Sequence, residues 1–455
     1  MDRDPYGLGT GGGVAPRASC ECQSEDRRSG TSDGTPTQHQ TGKKRSLLRT
    51  PEMRILLLCH RSPFPPNSGA KVRPFHMIRH FNAAGHDVTV CSLARSPIES
   101  KEGEGIGSYC SRFELAPVRN PVQVARMVLR LPSSTPSSMA FFFSRDLKRR
   151  VNSLLSESKF DLILVHCSSV AQYVEDVQGI PKILDFCDMD SQKWVEIADY
   201  KPFPLSLGYR FEGRKLAESE RRLAAKFDLC TVATPAEKRT LEALGSARAA
   251  DWFPNGVDGE YFRPDGGDYD PDMLTFIGRM DYYPNEECMT DFCHKTLPLI
   301  RQRRPQVKMQ IVGADPTIAV RKLGELPGVT VTGSVPDVRP YVCRSAATVA
   351  PLNIARGTQN KILEAMAMGV PVVTSSIGAG GVDAEPETHF LVADGSEAVT
   401  DACLRLLNDR AERSRLAVAG RARVLSNHTW SASMERLDEI IDRVIPRFSS
   451  GQGAS

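Results

Sequence analysis

From Met53 the chain reads as a short apolar run, a glycine-bearing loop, an amphipathic segment and a second apolar run: RILLLCH, RSPFPPNSGAKVR, PFHMIRHFNAAGH and DVTVCSL. That order predicts a βαβ unit, whose crossover makes the two strands parallel neighbours. Further buried strands are expected at DLILVH (161–166), KILDF (182–186) and LCTVAT (229–234), with a helix from about Arg214 to Lys226 between the last two, and this half ends near Asp251. The pattern then restarts. MLTFIGRM (273–280) is followed by a helical stretch up to Arg304 and by KMQIVGA, VTVTGSV, ATVAPL and PVVTSS. Short apolar strands alternating with helices indicate a mostly parallel sheet covered on both faces. The expected class is therefore α/β, with two Rossmann-like doubly wound domains facing a cleft. The expected boundaries are a tail at 1–52, domains at 53–252 and 253–429, a helix at 430–446 and a tail at 447–455. Met434, Leu437, Ile440, Ile441 and Val444 give that last helix an apolar stripe, and periodicity leaves open which domain it packs on.

Length agrees, since 455 residues exceed what one hydrophobic core sustains. A net charge of +3 makes no argument for nucleic acid. The 12 cysteines are scattered, and the close pair Cys20 and Cys22 lies in the tail, so no zinc spacing and no disulfide framework is legible; a reducing cytoplasm fits. Apolar runs such as Ile55 to Cys59 fall far short of the ~20 residues of a membrane span. Residues 1–52 are rich in Gly, Ser, Thr, Asp and Arg without apolar period and read as disordered, and Met53, just before the first strand, is an alternative start for translation. No repeat of 20 to 50 residues is visible.

In open α/β sheets, ligands sit beyond the carboxyl ends of the strands, which directs attention to three loops. In His60 to Lys71, Gly69 admits close backbone approach, the next helix offers N–H groups to an anion, and Ser68, Arg61, Lys71 and Arg73 stand nearby. The bland reading is a proline-rich connection with solvated cations. In Phe276 to Asn285, Gly278 and Arg279 follow a strand, and a guanidinium fork suits a diphosphate. A surface Arg paired with a nearby Asp is the ordinary alternative. The third loop, Pro351 to Ser376, is the most specific. Gly357 and Thr358 precede a helix from about Gln359 to Met368, Gly369 ends it, Lys361 adds charge in its first turn, and Glu364 is placed to accept two ribose hydroxyls. A lone Glu on a helix is otherwise most often solvated.

These segments, CHRSPFPPNSGAKVR, NGVDGEYFRP, FIGRMDYYPN and ARGTQNKILEAMAMGVPVV, make the chain resemble GT-B glycosyltransferases of family four. More narrowly it is similar to the sugar transferases associated with PEP-CTERM and exopolysaccharide export, over about Met53 to Ile445. The resemblance implies retaining, metal-independent transfer of a hexose, with no cofactor, from a nucleotide-diphosphate sugar to a glycan or lipid-linked acceptor. It implies that Glu364 binds the donor ribose, Arg279 meets the donor phosphates and His166 sits beside the transferred sugar; the loops read above add Lys361 to Arg279 and His166 as expected catalytic residues, and Gly278, Arg356, Gly357 and Thr358 to Glu364 as expected donor contacts. The loops after the strands of the first half give Ser68, Gly69, Lys71, Asp188 and Asp190 as the expected acceptor or phosphate loop. A histidine after a strand, like His166, is otherwise more often structural.

Two positions depart from the family pattern. Eight residues before Glu364, where relatives carry a first glutamate, stands Arg356, and five after Arg279, where many carry lysine, stands Pro284. Lys361 or Arg356 is expected to supply the missing charge. Asp188-Met189-Asp190 resembles a metal-holding triplet of other transferases, but here it is expected to shape the acceptor side. Residues 119–150 interleave Arg119, Arg126, Arg130, Arg145, Lys148, Arg149 and Arg150 with Met127, Leu129, Met139 and Phe141 to Phe143. That mixture suits peripheral contact with an anionic membrane, and packing on its own domain is the equal alternative. A nucleotide-sugar epimerase and a silent nucleotide-sugar binding protein are the rival functions; a dinucleotide dehydrogenase lacks its Gly-x-Gly-x-x-Gly.

Overall fold

The computed structural model describes residues 52–66 and 69–451, with side chains up to Ile445. The expectation of a disordered tail and the assignment of Ser68 lie outside the described residues. Seven strands form the first sheet: β1 (Arg54–Cys59), β2 (Asp87–Ala94), β3 (Arg112–Pro117), β4 (Leu162–His166), β5 (Lys182–Cys187), β6 (Leu229–Val232) and β7 (Ala250–Trp252). Their order is β3-β2-β1-β4-β5-β6-β7, and every neighbouring pair is parallel. The second sheet contains β8 (Asp270–Ile277), β9 (Lys308–Val312), β10 (Val329–Gly333), β11 (Ser345–Ala350), β12 (Val372–Thr374) and β13 (Leu391–Val392). Its order is β10-β9-β8-β11-β12-β13, again parallel throughout. The strand order reverses beside β1 and β8, so β1/β4 and β8/β11 are the switch points where ligand crevices open.

The apolar runs end up where parallel sheets demand them. Ile55, Leu56, Leu57 and Leu58 are fully buried, as are Leu162, Ile163 and Val165 of β4. The last helix, Trp430–Gly451, crosses back to the first sheet: Trp430, Met434, Leu437, Ile440, Ile441 and Val444 share a core with Ile55, Leu57, Phe75 and Phe81. Its Ser433 hydroxyl donates to Pro254 O, and the Trp430 ring stacks on His76 with centroids 4.0 Å apart.

Several expected boundaries shift for local reasons. The helix expected from Arg214 begins at Leu205, nine residues earlier. The stretch expected up to Arg304 is a helix at Tyr283–Asp291, a π-turn at Phe292–Thr296 and a helix at Leu297–Arg303. The expected strand PVVTSS shortens to Val372–Thr374 because the Ser375 hydroxyl accepts from Gly378 N and caps a short helix. Residues 119–150 form helices at Asn120–Leu129 and Ser137–Phe141 and the start of Arg145–Glu157.

Candidate active site

On the second sheet, the loops after β8 and β9 touch backbone to backbone. A Cβ on Gly313 would lie 1.7 Å from Gly278 O, and one on Gly278 would lie 2.8 Å from Asn285 Nδ2. That contact, with Asn285 Nδ2 donating to Arg279 O at 2.8 Å, fixes the backbone at Arg279. The Arg279 guanidinium donates to Asp281 through Nε (3.0 Å) and Nη2 (2.8 Å) and to Asp315 at 2.8 Å. This is the ordinary pairing weighed above, yet the side chain stays 45% exposed, so solvent and an incoming anion both reach it.

After β11 the chain turns through Gly357, at φ +62°, into the helix Asn360–Ala367. Gly369, at φ +69°, closes that helix: Val370 N donates to Ala365 O and Gly369 N to Met366 O. At its opening, Thr358 Oγ1 and Asn360 Oδ1 are buried without a hydrogen-bond partner. Unpaired buried polar atoms are rare in a finished core and expected where a ligand completes the pairing. Lys361 lies 5.6 Å over the Phe276 ring, with Nζ 3.3 Å from Gln359 Oε1. Burial pushes the Lys361 ammonium down to about 8 and the Glu364 carboxyl up to about 7.

Across the cleft, His166 ends β4, buried to 2%. Its Nδ1 lies 2.8 Å from Asp185 Oδ2. Asp185, 1% exposed, also takes both arms of Arg73 (2.8 and 2.9 Å) and the Thr231 hydroxyl (2.9 Å). Arg73 completes its contacts with Phe253 O and Asn255 Oδ1, both at 3.0 Å, and lies 3.5 Å over the Phe253 ring. Although Asp185 is fully buried, which alone would raise its carboxyl, the Arg73 charge and the His166 hydrogen bond hold it well below the usual range. An ionised Asp185 only accepts, so His166 Nδ1 carries the proton and donates, leaving Nε2 as the ring's other functional edge.

Four expected cations are paired with carboxylates of the protein. Arg73 is the counter-charge of Asp185. Lys71, 7% exposed, has Nζ 3.5 Å from Glu99, and Arg61 lies 3.9 Å from the same carboxylate. In the glycine-bearing loop, Gly69 begins the helix Gly69–Ala83 with open space where a Cβ would be. Arg356, expected beside the donor, pairs instead with Glu196 and lies 3.7 Å from Glu237, two carboxylates of the other half. Asp188 and Asp190 stand at the opening of the helix Asp190–Asp199. A Cβ at Gly357 would lie 1.8 Å from Asp188 Oδ1, so the two halves meet at that glycine. Burial raises the Asp188 carboxyl and brings that of Asp190 up to about 6.

Beside this contact a cavity of about 390 Å³ is lined by Glu196, Tyr200, Glu237, Asn353, Arg356 and Gly381, among others. Burial raises the Glu237 carboxyl to about 7, while one of its oxygens accepts from Met189 N at 2.9 Å. Sequence reasoning missed Asp185, Glu196 and Glu237. For Asp185 a signal exists, an acid inside the apolar run KILDF; the two glutamates sit on unremarkable helices.

Residues 68–256 match the family described as glycosyl transferase 4-like domain. Residues 271–409 match the one described as glycosyl transferases group 1. Among curated proteins, the chain is 29% identical over 248 residues to a GDP-mannose-dependent alpha-(1-6)-phosphatidylinositol monomannoside mannosyltransferase of Mycobacterium tuberculosis (strain ATCC 25618 / H37Rv), covering 49% of this chain and 63% of that protein. It is 30% identical over 253 residues to the enzyme so named in Mycolicibacterium smegmatis, with 49% and 64% covered. The chain thus spans just under two thirds of the curated relatives it matches. Among solved structures, sucrose-phosphate synthase from Thermosynechococcus elongatus superposes with a TM-score of 0.63 at 16% identity, over 87% of this chain and 100% of that one. Anabaena HepE in complex with UDP and glucose gives 0.62 at 14%, over 86% and 100%. Each half is thus matched by a glycosyl transferase family model, and the paired parallel sheets share the GT-B fold of these solved structures.

Proposed function

We propose that this chain is a retaining, metal-independent glycosyltransferase that moves a hexose from a nucleoside-diphosphate sugar to a lipid-linked or glycan acceptor. The observation carrying the reading is the second sheet's switch point. There Arg279, Lys361 and the unpartnered Thr358 Oγ1 and Asn360 Oδ1 stand on loops after β8 and β11. Transfer expels a diphosphate, so negative charge grows on the leaving oxygen, and losing one preorganised donor there costs roughly 3 to 4 kcal/mol of barrier. Arg279 exchanges Asp281 and Asp315 for that diphosphate, Lys361 adds a second cation, and Glu364 takes the ribose hydroxyls. His166, held by Asp185, faces the transferred sugar from the other half.

GDP-mannose is the first donor to try, because the curated relatives are named for it. Their names also favour a lipid-linked acceptor; a place in exopolysaccharide export rests on motif resemblance alone. The test is donor-dependent transfer from GDP-mannose, UDP-glucose and other common nucleotide sugars, with the product's anomeric configuration read by NMR. Binding without hydrolysis or transfer on a broad acceptor panel would instead favour a silent nucleotide-sugar binding protein.

Such an acceptor suits work at the inner face of a membrane. Among the described residues no helix is long and apolar enough to cross one. Of the basic residues at 119–150, Arg126 donates to Phe143 O, Lys148 to Tyr173 O, and Arg149 and Arg150 pair with Asp146. The apolar part is more telling: Val122, Val124, Val128, Leu129 and Leu131 are exposed, as are Phe203, Leu205, Leu207 and Phe211. Lys215 joins the two segments by donating to Leu131 O and Thr135 O. With Arg119 and Arg130 exposed beside it, this surface is the proposed peripheral contact with anionic lipid. Flotation with anionic vesicles tests it, and no binding at low salt removes it.

A further inference from the structure

We infer that His60, His166 and Cys167 form a binding site for a borderline-soft divalent cation, zinc foremost, at the switch point of the first sheet. The topology assembles it from distant sequence. β1 and β4 are parallel neighbours with Cys59 opposite His166. His60, the residue just after β1, therefore arrives beside the last residue of β4 and its successor. One donor atom from each of the three lies within 4.8 Å of the others. The His60 and His166 ring centroids are 5.8 Å apart.

Three further observations point to a ligand. His60 Nδ1 is buried without a hydrogen-bond partner, while the edge of its ring is fixed against Phe142 at 5.4 Å. His166 has Asp185 behind it at 2.8 Å on Nδ1, the carboxylate–imidazole pairing that orients metal-ligating histidines through their other nitrogen. Cys167 adopts φ +75°, a left-handed conformation that a non-glycine residue holds only when its surroundings impose it.

Asp188 and Asp190 act on Cys167, whereas Asp185 is matched by Arg73. Of the cations that act on His60, Arg61 lies 3.9 Å from Glu99 and Arg95 lies 5.3 Å over the Phe141 ring. Two imidazoles and a thiolate suit zinc and disfavour magnesium or calcium, which want oxygen. Zinc bonds of about 2.0 to 2.3 Å in a tetrahedral site place donors about 3.5 Å apart, so filling the site draws the three side chains together by about 1 Å. Binding releases the thiol proton to solvent. A metal there occupies His166 where the transferred sugar is to lie, so zinc inhibits transfer; that consequence, unlike the site itself, rests on the function proposed above.

The experiment is a cobalt(II) titration of the reduced full chain, followed by absorption. One equivalent should bind with a thiolate-to-cobalt charge-transfer band that disappears in Cys167→Ser and in Cys167→Gly. The glycine variant also relieves the positive φ and so guards against a misfolded serine variant. His60→Ala should weaken cobalt binding by about ten-fold or more. No band, or a band unchanged in both Cys167 variants, overturns the site, the second result assigning the metal to other thiols of the chain. Zinc at the concentration that fills the site should suppress transfer in the wild type and spare Cys167→Gly; a filled site without inhibition overturns the inhibitory role. The cobalt readout needs no activity, so a chain inactive with every donor sinks the transferase reading alone.

Discussion

The group on which most of the first half depends is Asp185, and Asp185→Asn isolates its charge while keeping its shape. The side chains of Asp185 and Arg73 are each 1% exposed. Asparagine retains the volume and much of the hydrogen bonding but leaves the Arg73 charge buried and uncompensated, a change that costs about 3 to 5 kcal/mol. For a unit of some 200 residues each kcal/mol lowers Tm by about 2 to 4 °C, so the first half should melt roughly 6 to 20 °C lower. Differential scanning calorimetry at neutral pH reads this directly. The double variant Arg73→Met, Asp185→Leu removes both charges and should recover at least half of the loss, because a buried pair replaced by apolar groups is often neutral. It should not recover transfer, because His166 Nδ1 then has no acceptor to fix its proton. A loss below about 1 kcal/mol for Asp185→Asn would be no more than an ordinary hydrogen bond and would refute the counter-charge assignment.

Burial places Lys361 at about 8 and Glu364 at about 7, and their signs are opposite: Lys361 binds a diphosphate only while protonated and Glu364 accepts two hydroxyls only while ionised. Nucleoside-diphosphate affinity measured by calorimetry should therefore peak between those values and fall as pH rises through 8, and Lys361→Arg should remove the alkaline fall; an affinity flat from pH 7 to 9 contradicts the placement. In ligand-free protein the raised Glu364 should make stability decline as pH climbs from about 4.3 toward 7, and Glu364→Gln should flatten that segment of a denaturant series. Gly357→Ala combines a φ of +62° with a Cβ 1.8 Å from Asp188 Oδ1; it should cost about 1 to 3 kcal/mol and raise the donor KM, and unchanged stability and kinetics would mean that the halves do not meet there. Leu129→Asp with Phe203→Asp, at positions 76% and 79% exposed, should leave transfer to a soluble acceptor intact and abolish vesicle flotation; flotation equal to wild type rules this surface out.

What the sequence made legible is what periodicity and strand ends encode. The apolar runs RILLLCH and DLILVH became β1 and β4, and the glycine pair Gly357 and Gly369 bracketed the helix bearing Lys361 and Glu364, because positive φ is a local requirement with a local residue signature. The partners of charged side chains were not legible. Lys71 and Arg73 are two residues apart in one loop-to-helix segment, yet one faces Glu99 and the other Asp185, 112 positions away. No pattern in the segment itself distinguishes them, because the choice is made by the order of the sheet, in which β2 leads to Glu99 on one side of β1 and β5, beyond β4, brings Asp185 on the other. The side taken by the last helix was hidden for the same reason: its stripe fits any apolar face, and long-range contacts such as the bridge of Val257 to Thr429 and the stacking of Trp430 on His76 set it on the first half.

Arg356 shows how a departure from a motif acquires a physical explanation once partners are known. A glutamate at that position would face Glu196 and Glu237 with a third negative charge, whereas arginine answers both. The motif acid and these two carboxylates are thus alternatives, and the chain keeps the carboxylates. Glu237 is nearly buried, and its Arg356 partner is 25% exposed, so a coupling of about 0.5 to 3 kcal/mol belongs to this pair. If Arg356 bound the donor instead, Arg356→Ala would weaken nucleotide-sugar binding whether or not Glu196 and Glu237 were present. If it joins the halves, Arg356→Ala should widen the cleft in small-angle scattering and do little further in a Glu196→Gln, Glu237→Gln background. The double-mutant cycle between Arg356 and Glu237, read in both donor affinity and scattering, decides between these roles, and the geometry favours the second.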